Sequence, residues 1–235
     1  EEEEEEDILN EQQKEVEKEG NVKGSKTTKR WAVWRAHLHL VPLVVLVLAA
    51  VNSCNYLPIY LVSWLEEEAS LAPQVALSIS ALAKVTQMLM TFPASYATDR
   101  FGATKVMLLG GLAVSVAAVP LMWLVISTNS HGIAFGVLGV LMPVLVSLYL
   151  VPSNLFMTCV FPTSLRGRTC GLCLGLASIC GGLTPMIATR LAKEGQLWPG
   201  AFISLLTVPS LAVLLWSRWA KASGRLAVYQ RPWLF

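Results

Sequence analysis

The chain has 235 residues, of which 54% are hydrophobic and 14% are charged, and its net charge is +2. Its hydrophobic residues gather in six long stretches, which excludes an ordinary soluble fold and indicates a membrane protein. Its basic residues are spread over the ends of these stretches rather than gathered in one patch, so we expect no nucleic-acid partner.

The first segment, residues 1–35, is acidic and then basic. It opens with the run Glu1–Glu6 and later carries Lys23, Lys26 and Lys29. Its apolar residues are too few to offset the entropy that ordering would cost. We therefore expect a mostly disordered cytoplasmic linker, which serves either as a regulatory tail or as a solvated connection.

Residues 36–219 are predicted to form a bundle of six transmembrane helices, followed by a cytoplasmic tail at 220–235. Each apolar stretch reaches the length of about 20 residues that an α-helix needs to cross the hydrocarbon core. The sequence therefore predicts an all-α polytopic protein in contact with the lipid bilayer. The predicted spans are 40–65, 71–97, 105–127, 132–160, 169–191 and 198–218.

The charges of the loops predict the orientation of the bundle. Lys and Arg collect before the first span, between spans two and three, between spans four and five, and after the sixth. The opposite side carries Glu66–Glu68 and only two basic residues, Arg190 and Lys193. By the positive-inside rule, both termini are cytoplasmic. We expect a multi-pass integral protein of the plasma membrane.

Polar residues form a stripe along one face of the second span. They recur at spacings of three or four, as Ser80, Lys84, Gln87, Thr91 and Ser95. Lys84 lies well inside the span, where a charge is costly and usually functional. It is interpreted as a binding charge for an anionic substrate, as a titrating group, or as a side chain that extends to the outer surface.

Three other spans also carry polar residues within the membrane. The first has Asn52, Asn55 and Tyr56, the fourth has Asn154, and the fifth has Thr184. Buried polar groups in lipid tend to face a bundle interior or a watery cavity. We expect spans 1, 2, 4 and 5 to line a cavity, and the alternative is hydrogen bonding between helices without one.

The sequence carries no recognisable catalytic motif. It contains no nucleophile elbow, zinc-protease pair or phosphate-binding loop, so we expect no enzyme. Cys170-x-x-Cys173 has the spacing of a metal or redox pair, but neither a second pair nor a nearby His accompanies it. These cysteines are interpreted as small packing residues, and we expect no metal or cofactor.

Residues 95–102, in the loop after the second span, read S-Y-A-T-D-R-F-G. This segment resembles a loop of the major facilitator superfamily that is written G-x-L-A-D-R-x-G-R-R. Asp99, Arg100 and Gly102 match. Ala103 and Thr104 stand where the family has a basic pair.

Residues 161–166 read F-P-T-S-L-R, and glycines follow at Gly171, Gly175 and Gly181. This pattern resembles the signature of spans 10 to 11 in the metabolite:proton symporter branch, which includes carriers of the proline/betaine, α-ketoglutarate and shikimate type. The stretch 56–61, Y-L-P-I-Y-L, is similar to the seventh span of that branch.

The resemblance implies that the chain is helices 7–12, the C-terminal half of a twelve-helix carrier. It implies alternating access, with a small organic metabolite and protons as substrates and an N-terminal six-helix half as partner. Asp99, Arg100, Gly102 and Arg166 would form a cytoplasmic gate, unless Asp99 and Arg100 are only solvated turn residues. The alternative function is a non-transporting half-carrier that serves as an assembly or sensor subunit.

Overall fold

The computed structural model describes residues 35, 38–67, 71–128, 130–163 and 165–223. The chain divides into two units, Glu1–Leu40 and Val41–Phe235. In the first unit, the backbone amide of Leu38 donates to the carbonyl of Arg35 at 3.4 Å. The predicted linker lies outside the described residues except for Arg35, and so does the predicted tail beyond Ser223.

Six long helices run through the described residues, and no strand occurs among them. All six are long and apolar enough to cross a membrane, which confirms the six predicted spans. The largest boundary differences are four residues, at Phe101 (97 predicted) and Ala222 (218 predicted). The helices are α1 Leu40–Glu67, α2 Pro73–Phe101, α3 Ala103–Thr128, α4 His131–Val160, α5 Arg166–Glu194 and α6 Trp198–Ala222.

Helix α2 begins and ends at residues that favour a helix end. Pro73 opens α2, where a missing backbone donor costs nothing. Gly102 alone separates α2 from α3 and has a φ of 96°, a left-handed conformation that favours glycine. Its amide donates to the Thr98 carbonyl at 3.0 Å and so caps the end of α2.

Helix α4 changes its winding near its start. Residues Phe135–Leu141 form a π-helix, and regular α-helix resumes at Met142, one residue before Pro143. Proline lacks the backbone donor that would continue the ladder, so the interruption falls next to the residue that favours it. Short π segments occur often at functional sites in helices.

Helix α3 packs closely against α4 and α6. A Cβ on Gly110 would lie 2.7 Å from the backbone of Leu148, so only glycine allows this approach. Between α3 and α6, the Ser115 hydroxyl donates to the Ser204 carbonyl at 3.3 Å, and the Ser204 hydroxyl donates to the Ser115 carbonyl at 2.6 Å. This reciprocal pair holds two otherwise apolar helices in register.

The outer faces of the bundle are apolar, as a lipid-facing surface requires. Large side chains stand exposed on α2, α3 and α6, among them Phe92, Val116 and Leu205. On α5, Gly167 and Gly171 have open space around them, because no atom of the described residues would lie within 4 Å of an added Cβ. These two glycines therefore face open space rather than another described helix.

Candidate functional site

The structure brings three of the predicted binding residues together between α1 and α2. The Lys84 ammonium donates to the backbone carbonyl of Asn55 at 2.8 Å and to Asn55 Oδ1 at 3.0 Å. It also donates to Gln87 Oε1 at 3.1 Å, and Gln87 Nε2 donates to Asn55 Oδ1 at 3.1 Å. We call Lys84, Gln87 and Asn55 the lysine cluster.

The contacts of the lysine cluster lie beside Pro58 of α1. A proline inside a helix removes one backbone donor, and the carbonyl that Pro58 leaves without its helical partner is that of Cys54, next to Asn55. On the same stretch of α1, the carbonyl of Asn55 accepts from Lys84, and the carbonyl of Pro58 accepts from the Ser80 hydroxyl at 2.9 Å. The polar face of α2 thus pairs with carbonyls that α1 presents around its proline.

Only the first part of the polar stripe of α2 makes hydrogen bonds to α1. Ser80, Lys84 and Gln87 bond to α1, whereas Thr91 and Ser95 donate to carbonyls of their own helix, at 3.1 and 2.8 Å. Hydrogen bonds between helices therefore exist at the positions where the sequence predicts a cavity. A pocket described below adjoins them.

The charge of Lys84 has no carboxylate partner in the described part of the chain. All three of its hydrogen bonds end on neutral oxygens. The residue lies in the middle third of α2, and its side chain is exposed. Asn55 Oδ1 accepts two hydrogen bonds, and all three N–H groups of the Lys84 ammonium are used. An anion that meets Lys84 would therefore have to replace one of these hydrogen bonds.

Asn52 and Tyr56 face a different neighbour, helix α5. A Cβ on Gly181 would lie 2.9 Å from Asn52 Cβ and 3.0 Å from the Tyr56 ring. One residue after Asn52, the buried Ser53 hydroxyl accepts from Thr184 at 2.7 Å. These residues line the close contact between α1 and α5.

Asn154 stands apart from the other predicted binding residues. It lies on α4 near the end of that helix, and its side chain is exposed. Among the described residues, no hydrogen bond joins it to the lysine cluster.

The predicted gate residues lie at helix ends. Asp99 and Arg100 are exposed in the last turn of α2, and the Arg100 guanidinium lies 5.7 Å from the centre of the Phe101 ring. Arg166 is half-buried and opens α5, where its backbone amide donates to the Pro162 carbonyl at 3.0 Å. Gly102 provides the sharp turn between α2 and α3.

The two residues that replace the basic pair of the family loop are fully buried. Ala103 packs against Cys159 and Leu155 of α4. Thr104 is likewise inaccessible, and its hydroxyl oxygen has no hydrogen-bond partner among the described residues. Because a buried charge without a partner is costly, this chain could not carry a basic pair here in the observed packing. Lys105, the next residue, is exposed.

A pocket beside the lysine cluster was not predicted from the sequence. It lies between α1, α2 and α4, and its volume of about 10 Å³ gives room for one water molecule at most. Gln87 stands at its polar edge, and its apolar lining includes Cys54, Leu138 and Val146. Apolar residues on three apolar helices give no pattern that marks a pocket, and the π-helix that contributes Leu138 has no sequence signature.

The cysteine pair of α5 is buried. Cys170 and Cys173 are free and buried, at 8% and 0% exposure. Within the described ranges, no group of three or more His, Cys, Asp or Glu residues could hold a metal ion.

Comparisons with known proteins give one family and two similar relatives. A family model described as Major Facilitator Superfamily matches residues 14–233. Two similar curated relatives are proline/betaine transporters, from Escherichia coli strain K12 and Escherichia coli O157:H7. Each is 25% identical over 182 residues, which cover 76% of this chain and 35% of the relative. The chain thus matches about a third of each relative's length, and no solved structure matches it.

Proposed function

Because the chain belongs to the Major Facilitator Superfamily, we propose that its six spans form the C-terminal half of a proton-coupled symporter for a small organic metabolite. The chain is an integral membrane protein, and the proposal adds a second six-helix half as partner. The two halves would rock about a site near the bilayer midplane and open it to each side in turn. Each ligand would favour the state that it binds more tightly.

The lysine cluster is the observation that carries this proposal. A charge near the middle of a membrane helix costs about 2.5 kcal/mol or more on insertion scales, so it is retained where it has a use. In the described part of the chain, Lys84 meets only neutral oxygens. A carboxylate of the substrate would supply the missing negative charge in exchange for one of these hydrogen bonds.

The names of the relatives fit a carboxylate substrate. Both are called proline/betaine transporters, and proline and betaine each carry one carboxylate. We therefore propose that the substrate of this chain is an anion or a zwitterion with a carboxylate that meets Lys84.

The proton-coupling acid is proposed to lie on the second half. In the described helices, every Asp and Glu falls within the last three residues of its helix, at Glu66, Glu67, Asp99 and Glu194. None of these is placed to exchange a proton at the midplane. Asp99, Arg100, Gly102 and Arg166 would instead form contacts at the cytoplasmic gate, with both termini cytoplasmic and the protein in the plasma membrane.

Uptake into proteoliposomes tests the proposal directly. The chain would be co-reconstituted with its second half, and uptake of radiolabelled betaine and proline would be measured under an imposed proton gradient. We expect Lys84→Met to raise the KM strongly, because the substitution keeps the length of the side chain and removes its charge. Lys105→Met removes an exposed charge outside the cluster and is the matched control.

Two results would contradict the proposal. Wild-type kinetics in Lys84→Met would remove the lysine cluster from the substrate site. Absence of uptake for every carboxylate tested, with both halves folded, would favour a non-transporting assembly or sensor subunit instead.

A further inference from the structure

The small pocket between α1, α2 and α4 lies where two proline-containing helices come together. Pro58 of α1 and Pro143 of α4 both line it, and Gln87 of α2 lies at its edge. A proline has no backbone N–H, so each one leaves a carbonyl of its own helix without the usual donor. Within a membrane, a backbone group freed in this way needs another partner, which a neighbouring helix, a hydroxyl side chain or an ordered water provides.

On α1, the carbonyl without a helical donor is that of Cys54, four residues before Pro58. Cys54 is buried and lines the pocket. The side chains of α2 that donate to backbone carbonyls of α1 bond to other residues, since Lys84 donates to Asn55 and Ser80 donates to Pro58. The Cys54 carbonyl is therefore an acceptor beside the pocket.

On α4, the π-helix leaves a second acceptor, the carbonyl of Leu138. Its α-helical donor would be the amide of Met142, but this amide donates to Val137, five residues back. The next π-helical bond would join Leu138 to Pro143, which has no amide hydrogen. Leu138 therefore receives neither bond, and it too lines the pocket.

Gln87 supplies a donor at the same place. Its amide oxygen accepts from Lys84, and one N–H of its amide nitrogen donates to Asn55 Oδ1. A primary amide carries two N–H groups, and no hydrogen bond among the described residues uses the second one. Two carbonyls and one N–H thus belong to residues that line a single pocket.

The pocket has room for one water molecule. Its volume of about 10 Å³ is close to the least that a buried water needs, and buried waters typically make about three hydrogen bonds. We propose that one ordered water occupies this pocket, donates to the Cys54 and Leu138 carbonyls and accepts from the Gln87 amide. It joins α1 and α4 beside their prolines and connects both helices to the side chain that accepts from Lys84.

The water gives Gln87 a positioning role in the lysine cluster. Asn55 Oδ1 and the water together use both N–H groups of the Gln87 amide. The amide oxygen is thereby held toward the Lys84 ammonium, because a reversed amide would present its N–H groups to a positive charge. This inference concerns the packing of the six helices and does not depend on the transport function.

Brief X-ray irradiation tests for the water, because hydroxyl radicals form from ordered waters and oxidise the side chains beside them. Met142 and Cys54 line the pocket and are only 3% and 1% exposed, so bulk water hardly reaches them. Met107 and Cys159 are as deeply buried, lie outside the pocket lining and serve as matched controls. The full chain is irradiated in detergent, and the oxidation of each residue is measured by mass spectrometry.

We expect Met142 and Cys54 to be oxidised several times faster than their controls. Val146 lines the pocket, and Val146→Ile adds a carbon atom that takes the space of the water. In this variant, the oxidation of Met142 should fall to the rate of its control. Val151→Ile adds the same atom at a half-buried position of α4 outside the pocket lining and should leave the oxidation of Met142 unchanged.

Two results would overturn the water site. The first is oxidation of Met142 and Cys54 at the rates of their controls in the wild type, a comparison that needs no variant and decides alone if Val146→Ile does not fold. The second is fast oxidation of Met142 that persists in folded Val146→Ile, because the radicals would then come from another source. Neither result bears on the transport function, which is measured by uptake.

Discussion

The Lys84 ammonium lies 3.0 Å from Asn55 Oδ1 and 2.8 Å from the Asn55 backbone carbonyl, so one residue of α2 holds both the side chain and the backbone of one residue of α1. An anion that binds Lys84 competes for these hydrogen bonds. Binding at the lysine cluster is therefore coupled to the contact between the two helices, which is the type of link that alternating access requires.

Asn55→Asp tests this relationship by placing a carboxylate beside Lys84. We expect the variant to unfold at a temperature at least as high as the wild type, because the charge of Lys84 then has a partner. We also expect it to lose carboxylate uptake, because the new carboxylate occupies the place of the substrate. Thermal unfolding in detergent and proteoliposome uptake measure the two effects.

The control for this substitution is Asn55→Ala, which removes the amide without adding a charge. It should weaken the contact between α1 and α2, lower the unfolding temperature and retain part of the uptake. If Asn55→Asp transports carboxylates as well as Asn55→Ala does, Lys84 does not bind the substrate.

Two glycines that look alike in the sequence are expected to respond oppositely to alanine. Gly110→Ala should destabilise the protein, because its Cβ would lie 2.7 Å from the Leu148 backbone, which cannot move aside easily. Gly171→Ala meets open space and should stabilise α5 by about 0.5–1 kcal/mol, the difference in helix propensity. Thermal unfolding of the isolated six-helix chain measures both, and equal shifts would contradict the packing of α3 against α4.

The sequence predicted the six helices because apolar length alone specifies a span. It also placed Lys84 and Gln87 on one helix face, since spacings of three and four determine which side chains align. Their meeting with Asn55 depends on how α1 and α2 pack, which no spacing within one helix reveals. Gly167, Gly171 and Gly175 are spaced by four, a pattern typical of closely packed helices, yet the described residues leave Gly171 open. Small residues permit close approach but do not specify the partner.

The orientation of the bundle is tested by labelling single cysteines from outside the cell. With the exposed native Cys180 replaced, a cysteine at Glu67 should react with a membrane-impermeant maleimide, and one at Lys105 should not. Both positions are exposed, so access to the side chain is matched. The expectation follows from the excess of Lys and Arg on the Lys105 side. The reverse labelling pattern would invert the proposed topology.

Asp99→Asn tests the proposed gate. The substitution keeps the shape of the side chain and removes its charge, so we expect normal membrane insertion and reduced uptake by the assembled carrier. Glu194→Gln is the matched control, because Glu194 is also an exposed carboxylate at a helix end and lies outside the gate motif. Equal uptake by both variants would make Asp99 a solvated residue of the turn.

The buried hydroxyl of Thr104 predicts a stabilising substitution next to the same turn. Valine has nearly the shape of threonine, and Thr104→Val removes an oxygen that has no hydrogen-bond partner among the described residues. An unsatisfied buried hydroxyl costs about 1–3 kcal/mol, so we expect the free energy of unfolding to rise by about 1 kcal/mol.

Thr98 supplies the matched control for that substitution. It is also buried, at 3% exposure, but its hydroxyl donates to the Ala94 carbonyl at 2.7 Å. Thr98→Val removes a satisfied hydroxyl and should therefore bring no comparable gain. Thermal unfolding of both variants in the same detergent gives the comparison. A decrease in stability for Thr104→Val would contradict the conclusion that the buried hydroxyl is unsatisfied.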